Sequence, residues 1–230
     1  PRPELAELNH MDRKAAYVAF VETLAALHEV DFDAVGLSDY GRTEGYAARQ
    51  LKRWSEQYEA AKTAHIEALD RLIGWLKSSI PAHDEAAITH GDYRIGNMMF
   101  ELDEPHIIAV LDWELSTLGH PLADLGYVCM SYRIPARNQF LSGLRGLDLP
   151  ALGIPTEDEL VAAYCHRAGR DNVPDLTFFI ALSFFRYASI AQGVYARSLQ
   201  GNAADKRASL AGQAAAALAE EGWRIAQAAG

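Results

Sequence analysis

A change of period in the middle of this sequence constrains its fold more than any other feature. Up to residue 80 and again beyond Pro121, apolar side chains recur every three or four positions, as a helix buried on one face requires. Between them, Ala87-Ile88-Thr89, Met98-Met99-Phe100 and residues 106–111 form short apolar runs bounded by Gly, Asn and Asp, which reads as short strands joined by tight loops. The pattern predicts a mainly helical α+β lobe in which a few strands present a polar loop.

The helical part is explicit. Val18, Val21, Leu24, Ala25 and Leu27 fall on one face of a helix over 12–30. Further helices are expected over about 43–58 and 64–80, the second ended by Pro81, which has no N–H and clashes with the preceding turn. Thr156-Glu157-Asp158-Glu159 fits a capping box opening a helix to about 168. Residues 175–198 predict a long apolar core helix, and 203–229 an Ala-rich final helix packed on that core. Arg186 and Gln192 interrupt the apolar stretch 176–196, so a buried helix is expected there and no membrane partner; a bilayer asks for roughly 20 consecutive apolar residues.

With 230 residues, 50% of them hydrophobic and 23% charged, the composition excludes a disordered or collagen-like chain. The net charge of −10 disfavours a phosphate backbone, so no nucleic-acid partner is expected. Cys129 and Cys165 cannot build a disulfide framework, and no zinc-type spacing accompanies the eight histidines, so a reduced, cytoplasmic setting is the expectation. A first residue of Pro1 suggests a processed chain or an excised piece.

The residues able to do chemistry concentrate on the short strands: His90-Gly91-Asp92-Tyr93-Arg94-Ile95-Gly96-Asn97, an apolar run, then Asp112-Trp113-Glu114. Phosphoryl transfer needs a carboxylate to orient and deprotonate a hydroxyl, oxygen ligands to hold Mg²⁺ against nucleotide phosphates, and a cation facing the moving group. Asp92 meets the first need, Asn97 and Asp112 the second, and Arg94 the third. Asn97 lies five residues after Asp92, and His90 two before it, the spacing of the kinase catalytic loop H-R-D-x-x-x-x-N. A hairpin between the apolar runs would return Asp112 beside Asn97. Each residue also has a plainer reading. Asp92 and Asn97 are good turn formers, and His90 could pack under the loop. Arg94 could pair with Glu114, Asp124 could be a first-turn helix carboxylate, and His28 and Asp31 could punctuate a helix end.

The loop and Asp112 resemble the aminoglycoside phosphotransferase and choline kinase group of the protein-kinase-like superfamily. Residues 27–31, Gly45-Tyr46 through Gln50 to Trp54, 119–125, and Phe185-Arg186 to 192–195 are similar to one subgroup, the kinase-like domains associated with acyl-CoA dehydrogenases. The resemblance implies Asp92 as catalytic base, Asn97 and Asp112 as Mg²⁺ and nucleotide ligands, Arg94 beside the transferred phosphoryl group, and Asp124 as a buried aspartate fixing the loop backbone. Glu114 would support the metal or substrate and His90 the loop. It implies ATP and Mg²⁺ as cofactors and a small-molecule hydroxyl compound as partner, hydroxyacyl or aminoglycoside-like.

Two parts of such an enzyme are not legible. There is no GxGxxG, and the lysines Lys14, Lys52, Lys62, Lys77 and Lys206 all lie in helical or polar contexts, none on a strand-like run. Residues 1–230 therefore read as a C-terminal catalytic and acceptor-binding lobe without its nucleotide-binding lobe, inactive or nearly so alone. A catalytically silent kinase-like binding module and a metal hydrolase built on His90, Asp92, Asp112 and His120 are the competing readings.

Overall fold

The computed structural model describes residues 5, 7–101, 104–136, 141, 143–199 and 207–229. The first helix, α1 (His10–His28), begins at an Asn9 cap whose side chain accepts the Asp12 N–H at 3.0 Å. It buries Tyr17, Phe20, Val21 and Leu24, and α2 (Tyr46–Ala61) and α3 (Glu67–Ser78) follow, with α3 ending just short of Pro81. Four short strands come next: β1 (Ala87–Thr89), β2 (Met98–Phe100), β3 (Ile107–Val110) and β4 (Thr117–Gly119). The rest is helical: α4 (Leu122–Arg133), a single turn α5 (Leu149–Leu152), α6 (Glu157–Arg167), α7 (Leu176–Leu199) and α8 (Arg207–Ala229). The Pro1 terminus and the expected opening of the last helix at 203–206 lie outside the described residues.

The capping box at Thr156 is present in both halves: Thr156 Oγ1 accepts the Glu159 N–H at 3.2 Å, and Glu159 Oε2 accepts the Thr156 N–H at 2.8 Å. The strands make two separate antiparallel ribbons. In one, β1 pairs with β4, Ile88 opposite Leu118; in the other, β2 pairs with β3, Met98 opposite Val110. β4 was not legible in the sequence. Three residues carry no alternation to read, and this strand exists because β1 offers it a partner across about thirty residues.

Helix α7 is the axis of the core. Phe178, Phe179, Phe184 and Phe185 are buried on it, each burial contributing about 1.5–3 kcal/mol. It is long and apolar enough, by length and composition, to cross a membrane, and 67% of its most apolar window is buried within this fold. Helix α8 lies along it with a face of small residues, Ala211, Ala215, Ala219 and Ala226, all fully buried. On the opposite side α4 approaches closely at Gly126, where a Cβ would stand 2.7 Å from the Phe179 carbonyl carbon. Cys129 and Cys165 are unbridged and buried, and burial pushes the Cys129 thiol well above its ordinary pKa.

Candidate active site

The loop between β1 and β2 is built from its backbone outward. Gly91 has φ +83°, a conformation L side chains rarely adopt, and a Cβ there would sit 2.6 Å from the Leu115 carbonyl oxygen. Asp124, in the first turn of α4, turns its carboxylate under this bend: Oδ2 accepts the His90 N–H at 2.6 Å and Oδ1 the Gly91 N–H at 2.9 Å. Both plain and functional readings of Asp124 therefore describe the same residue, a helix-start carboxylate that satisfies two loop donors. His28, the last residue of α1, approaches Asp124 Oδ2 with Nε2 at 3.5 Å and hydrogen-bonds the Tyr164 hydroxyl through Nδ1 at 2.8 Å. Asp31 stays local, its Oδ1 accepting the N–H groups of Asp33 and Ala34.

His90 is fully buried, with both ring nitrogens engaged: Nε2 donates to the Leu111 carbonyl at 2.8 Å, and Nδ1 accepts the Asp92 N–H at 3.2 Å. His120 is buried too, stacked on Phe179 with centroids 4.3 Å apart, its Nδ1 accepting the Leu122 N–H. His90 has no ring nitrogen left for a metal, and among the described residues no three His, Cys, Asp or Glu side chains converge on a metal position.

The Asp92 carboxylate carries three side-chain donors. Asn97 Nδ2 reaches Oδ2 at 3.1 Å, as well as the Asp92 carbonyl at 2.9 Å. Arg94 Nε donates to Oδ2 at 3.2 Å, and the Tyr127 hydroxyl donates to Oδ1 at 2.9 Å. The hairpin expected from the sequence is there: the β2–β3 ribbon leads to Leu111, whose N–H donates to the Asn97 carbonyl at 2.8 Å, and Asp112 follows directly. Asp112 has φ +67° and ψ 57°, a left-handed conformation that costs a non-glycine residue about 1–2 kcal/mol and that concentrates at functional sites. Its side chain is exposed, and among the described residues no group bonds its carboxylate. Glu114 lies one residue past Trp113 in the next one-turn helix, also exposed.

With Asn97 Nδ2 committed to Asp92, its Oδ1 is the open donor. An amide oxygen and a carboxylate are hard ligands of the kind Mg²⁺ takes, and a pair of them fits an ion completed by phosphate and water better than an all-protein cage. The residues present fit Mg²⁺.

Beside Asp92 lies a cavity of about 370 Å³, lined at this end by Asp92, Arg94, Tyr127 and Tyr187 and further in by Phe20, Met130, Ile134 and Leu144 among others.

A phosphotransferase enzyme family model matches residues 1–172. The chain belongs to that family. It is 41% identical over 224 residues to acyl-CoA dehydrogenase family member 10 of Mus musculus, a match covering 97% of this chain and 21% of the relative. It superposes with TM-score 0.91 on a solved Ralstonia eutropha protein provisionally named an aminoglycoside phosphotransferase, at 45% identity, covering 96% of this chain and 67% of that one. A spectinomycin phosphotransferase solved with ADP and spectinomycin shares the fold, at 15% identity and TM-score 0.55, over the whole of this chain and 68% of its own. The chain thus spans 21% to 29% of the length of these curated relatives.

Two residues of this candidate site, Tyr127 and Tyr187, were not singled out in the sequence, and Arg186 was singled out there only as a charge in the apolar helix and as part of the subgroup motif. Tyr127, Tyr187 and Arg186 reach the loop from α4 and α7, Arg186 through a 2.9 Å hydrogen bond from Nη1 to the Gly91 carbonyl. Nothing local marks the two tyrosines. Arg186, a charge inside the most apolar helix, was the one signal that could have been followed.

Proposed function

We propose that this lobe transfers the γ-phosphoryl group of ATP to the hydroxyl of a small molecule. The observation that carries the reading is a loop in which Asp92 borders a partly open cavity while the Asn97 carbonyl accepts the N–H of Leu111, the residue before Asp112. In this reading the acceptor hydroxyl enters from the cavity and its proton passes to an Asp92 carboxylate oxygen. The acceptor oxygen bonds to the γ-phosphorus as the bond from that phosphorus to the β–γ bridging oxygen breaks, and ADP leaves with that oxygen. Asn97 Oδ1 and the Asp112 carboxylate would hold Mg²⁺, which would supply positive charge to neutralise the nucleotide phosphates. Arg94, half-exposed and already turned to Asp92, supplies a cation on the phosphate side. Glu114 supports this edge.

The preferred acceptor is a hydroxyacyl compound. Among the described residues the cavity has one acidic side chain, Asp92, which is already paired with Arg94, and its lining includes Phe20, Met130, Ile134 and Leu144. A polycationic aminoglycoside would find little there to balance its charge, whereas an apolar acyl body with one hydroxyl matches the wall. The subgroup resemblance supports the same class.

We also propose that the lobe works with a nucleotide-binding lobe. Met99, Ile108, Leu111, Trp113 and Leu115 are all at least 40% exposed along the β2–β3 ribbon and the turn after Asp112, a grouping that suits a covered face. The test is ATP consumption by the full-length natural protein and by residues 1–230 alone, against hydroxyacyl-CoAs, aminoglycosides, choline and sugars. Hydroxyacyl turnover by the full protein, with little or none by 1–230, is expected. Rapid turnover of an aminoglycoside with no hydroxyacyl transfer would overturn the acceptor class, and robust turnover by 1–230 would overturn the need for a second lobe.

A further inference from the structure

We infer that Tyr127, backed by Tyr187, is the positioning residue that aims the Asp92 carboxylate at the acceptor hydroxyl; this rests on the base role proposed for Asp92. A carboxylate offers about four acceptor positions, and three are occupied here. The two donors on Oδ2, Asn97 and Arg94, come from the loop itself, and Arg94 is the cation proposed above for the phosphate side. Among the described residues only Tyr127 holds Oδ1, and it does so from α4, an element outside the loop. When the phosphates draw on Arg94, Tyr127 is the contact from outside the loop that keeps the carboxylate plane from turning.

Tyr127 is itself held. The Tyr187 hydroxyl donates to the Tyr127 hydroxyl at 2.7 Å, which commits the Tyr127 proton to Asp92 and polarises that bond. The two rings stack with centroids 5.2 Å apart and planes 9° from parallel, so neither swings without losing the other. Burial raises both phenol pKa values, so both remain donors through neutral pH. Arg186 fastens the pair to the loop it serves: its guanidinium lies 5.9 Å from the Tyr187 ring centroid while Nη1 bonds the Gly91 carbonyl. The supports are two core helices that pack closely at Gly126, so the aim of Asp92 is fixed from the helical core.

Tyr127→Phe removes one hydroxyl and keeps the ring stack. The measurement is kcat and KM in the full-length natural protein with ATP, Mg²⁺ and 3-hydroxybutyryl-CoA, and with water as the acceptor of slow ATP hydrolysis, alongside thermal unfolding. Tyr127→Phe is expected to lower kcat by about 10- to 100-fold, the scale of a misaimed reacting group. Both KM values should stay within about threefold and the unfolding temperature should be little changed. Tyr187→Phe should cost less, and the double variant should match Tyr127→Phe alone, because Tyr187 acts through Tyr127. An unchanged kcat in Tyr127→Phe, or a loss confined to the acceptor KM, overturns the inference and leaves Tyr127 as a pocket wall. Asp92→Ala separates the two levels: if it retains turnover the base role fails, whereas if it is inert and Tyr127→Phe is not, only the positioning role fails.

Discussion

Asp124 shows how much a single residue carries in this loop. Its side chain is 3% exposed and takes two backbone N–H groups, from His90 and Gly91, with His28 at its edge. Asp124→Asn keeps the shape but replaces one acceptor oxygen with a donor, so one buried N–H is left facing an NH₂ group. Leaving a buried donor unsatisfied costs about 1–3 kcal/mol, and in a chain of this size each kcal/mol moves the melting temperature by about 2–4 °C. Asp124→Asn should therefore melt several degrees lower, measured by calorimetry, with nucleotide turnover reduced further because the loop that carries Asp92 loosens. At this scale the sequence was legible wherever partners are close in the chain. The five-residue step from Asp92 to Asn97 needs only one loop, and the return of Asp112 beside Asn97 needs only one hairpin. It was not legible where partners come from far away: Tyr127 meets Asp92 across 35 residues and Arg186 meets Gly91 across 95, and no local pattern encodes such a meeting.

Helices were legible as elements because a one-sided apolar stripe and an end signal are both written locally. Asn9 starts α1, Thr156 and Glu159 start α6, and α3 gives out before Pro81. Strand β4 has no such signal and is defined by its pairing with β1. The join between β4 and α4 also sets a pH response. His120 packs on Phe179, and burial lowers its pKa below the ordinary value, with Glu85, Asp84 and Asp175 pulling the other way and Arg170 adding to the lowering. Its Nδ1 also accepts the Leu122 N–H at the start of α4, a bond that a protonated nitrogen cannot accept. The unfolded chain therefore takes up a proton at this residue before the folded one does, so stability falls as pH drops below about 6.5, the unfolded histidine value, and continues to fall to the folded value. Melting temperature measured between pH 7.5 and 5 should decline, and His120→Asn, less stable at neutral pH, should show a flatter slope across that window. An equal slope in the variant would assign the acid sensitivity elsewhere.

For the molecule as a whole, the helices form one core around α7, and the site sits where that core meets the two small ribbons. α4 and α7 pack closely at Gly126, and these two helices carry Asp124, Tyr127 and Arg186, which bond the β1–β2 loop, and Tyr187, which bonds Tyr127. The ribbons contribute Asn97 and Asp112 on the opposite side. This division, rigid helices behind the base and short strands beneath the expected phosphates, is the physical content of the phosphotransferase reading. It makes Asp92 the one side chain on which both halves converge. The most direct test is phosphoryl transfer by the full-length natural protein before and after Asp92→Ala, with Mg²⁺-dependent nucleotide binding and thermal unfolding followed in parallel. Loss of transfer by about a thousandfold or more, with binding and melting temperature nearly unchanged, is the predicted result; an Asp92→Ala protein that still transfers phosphate within tenfold of the original rate would contradict it.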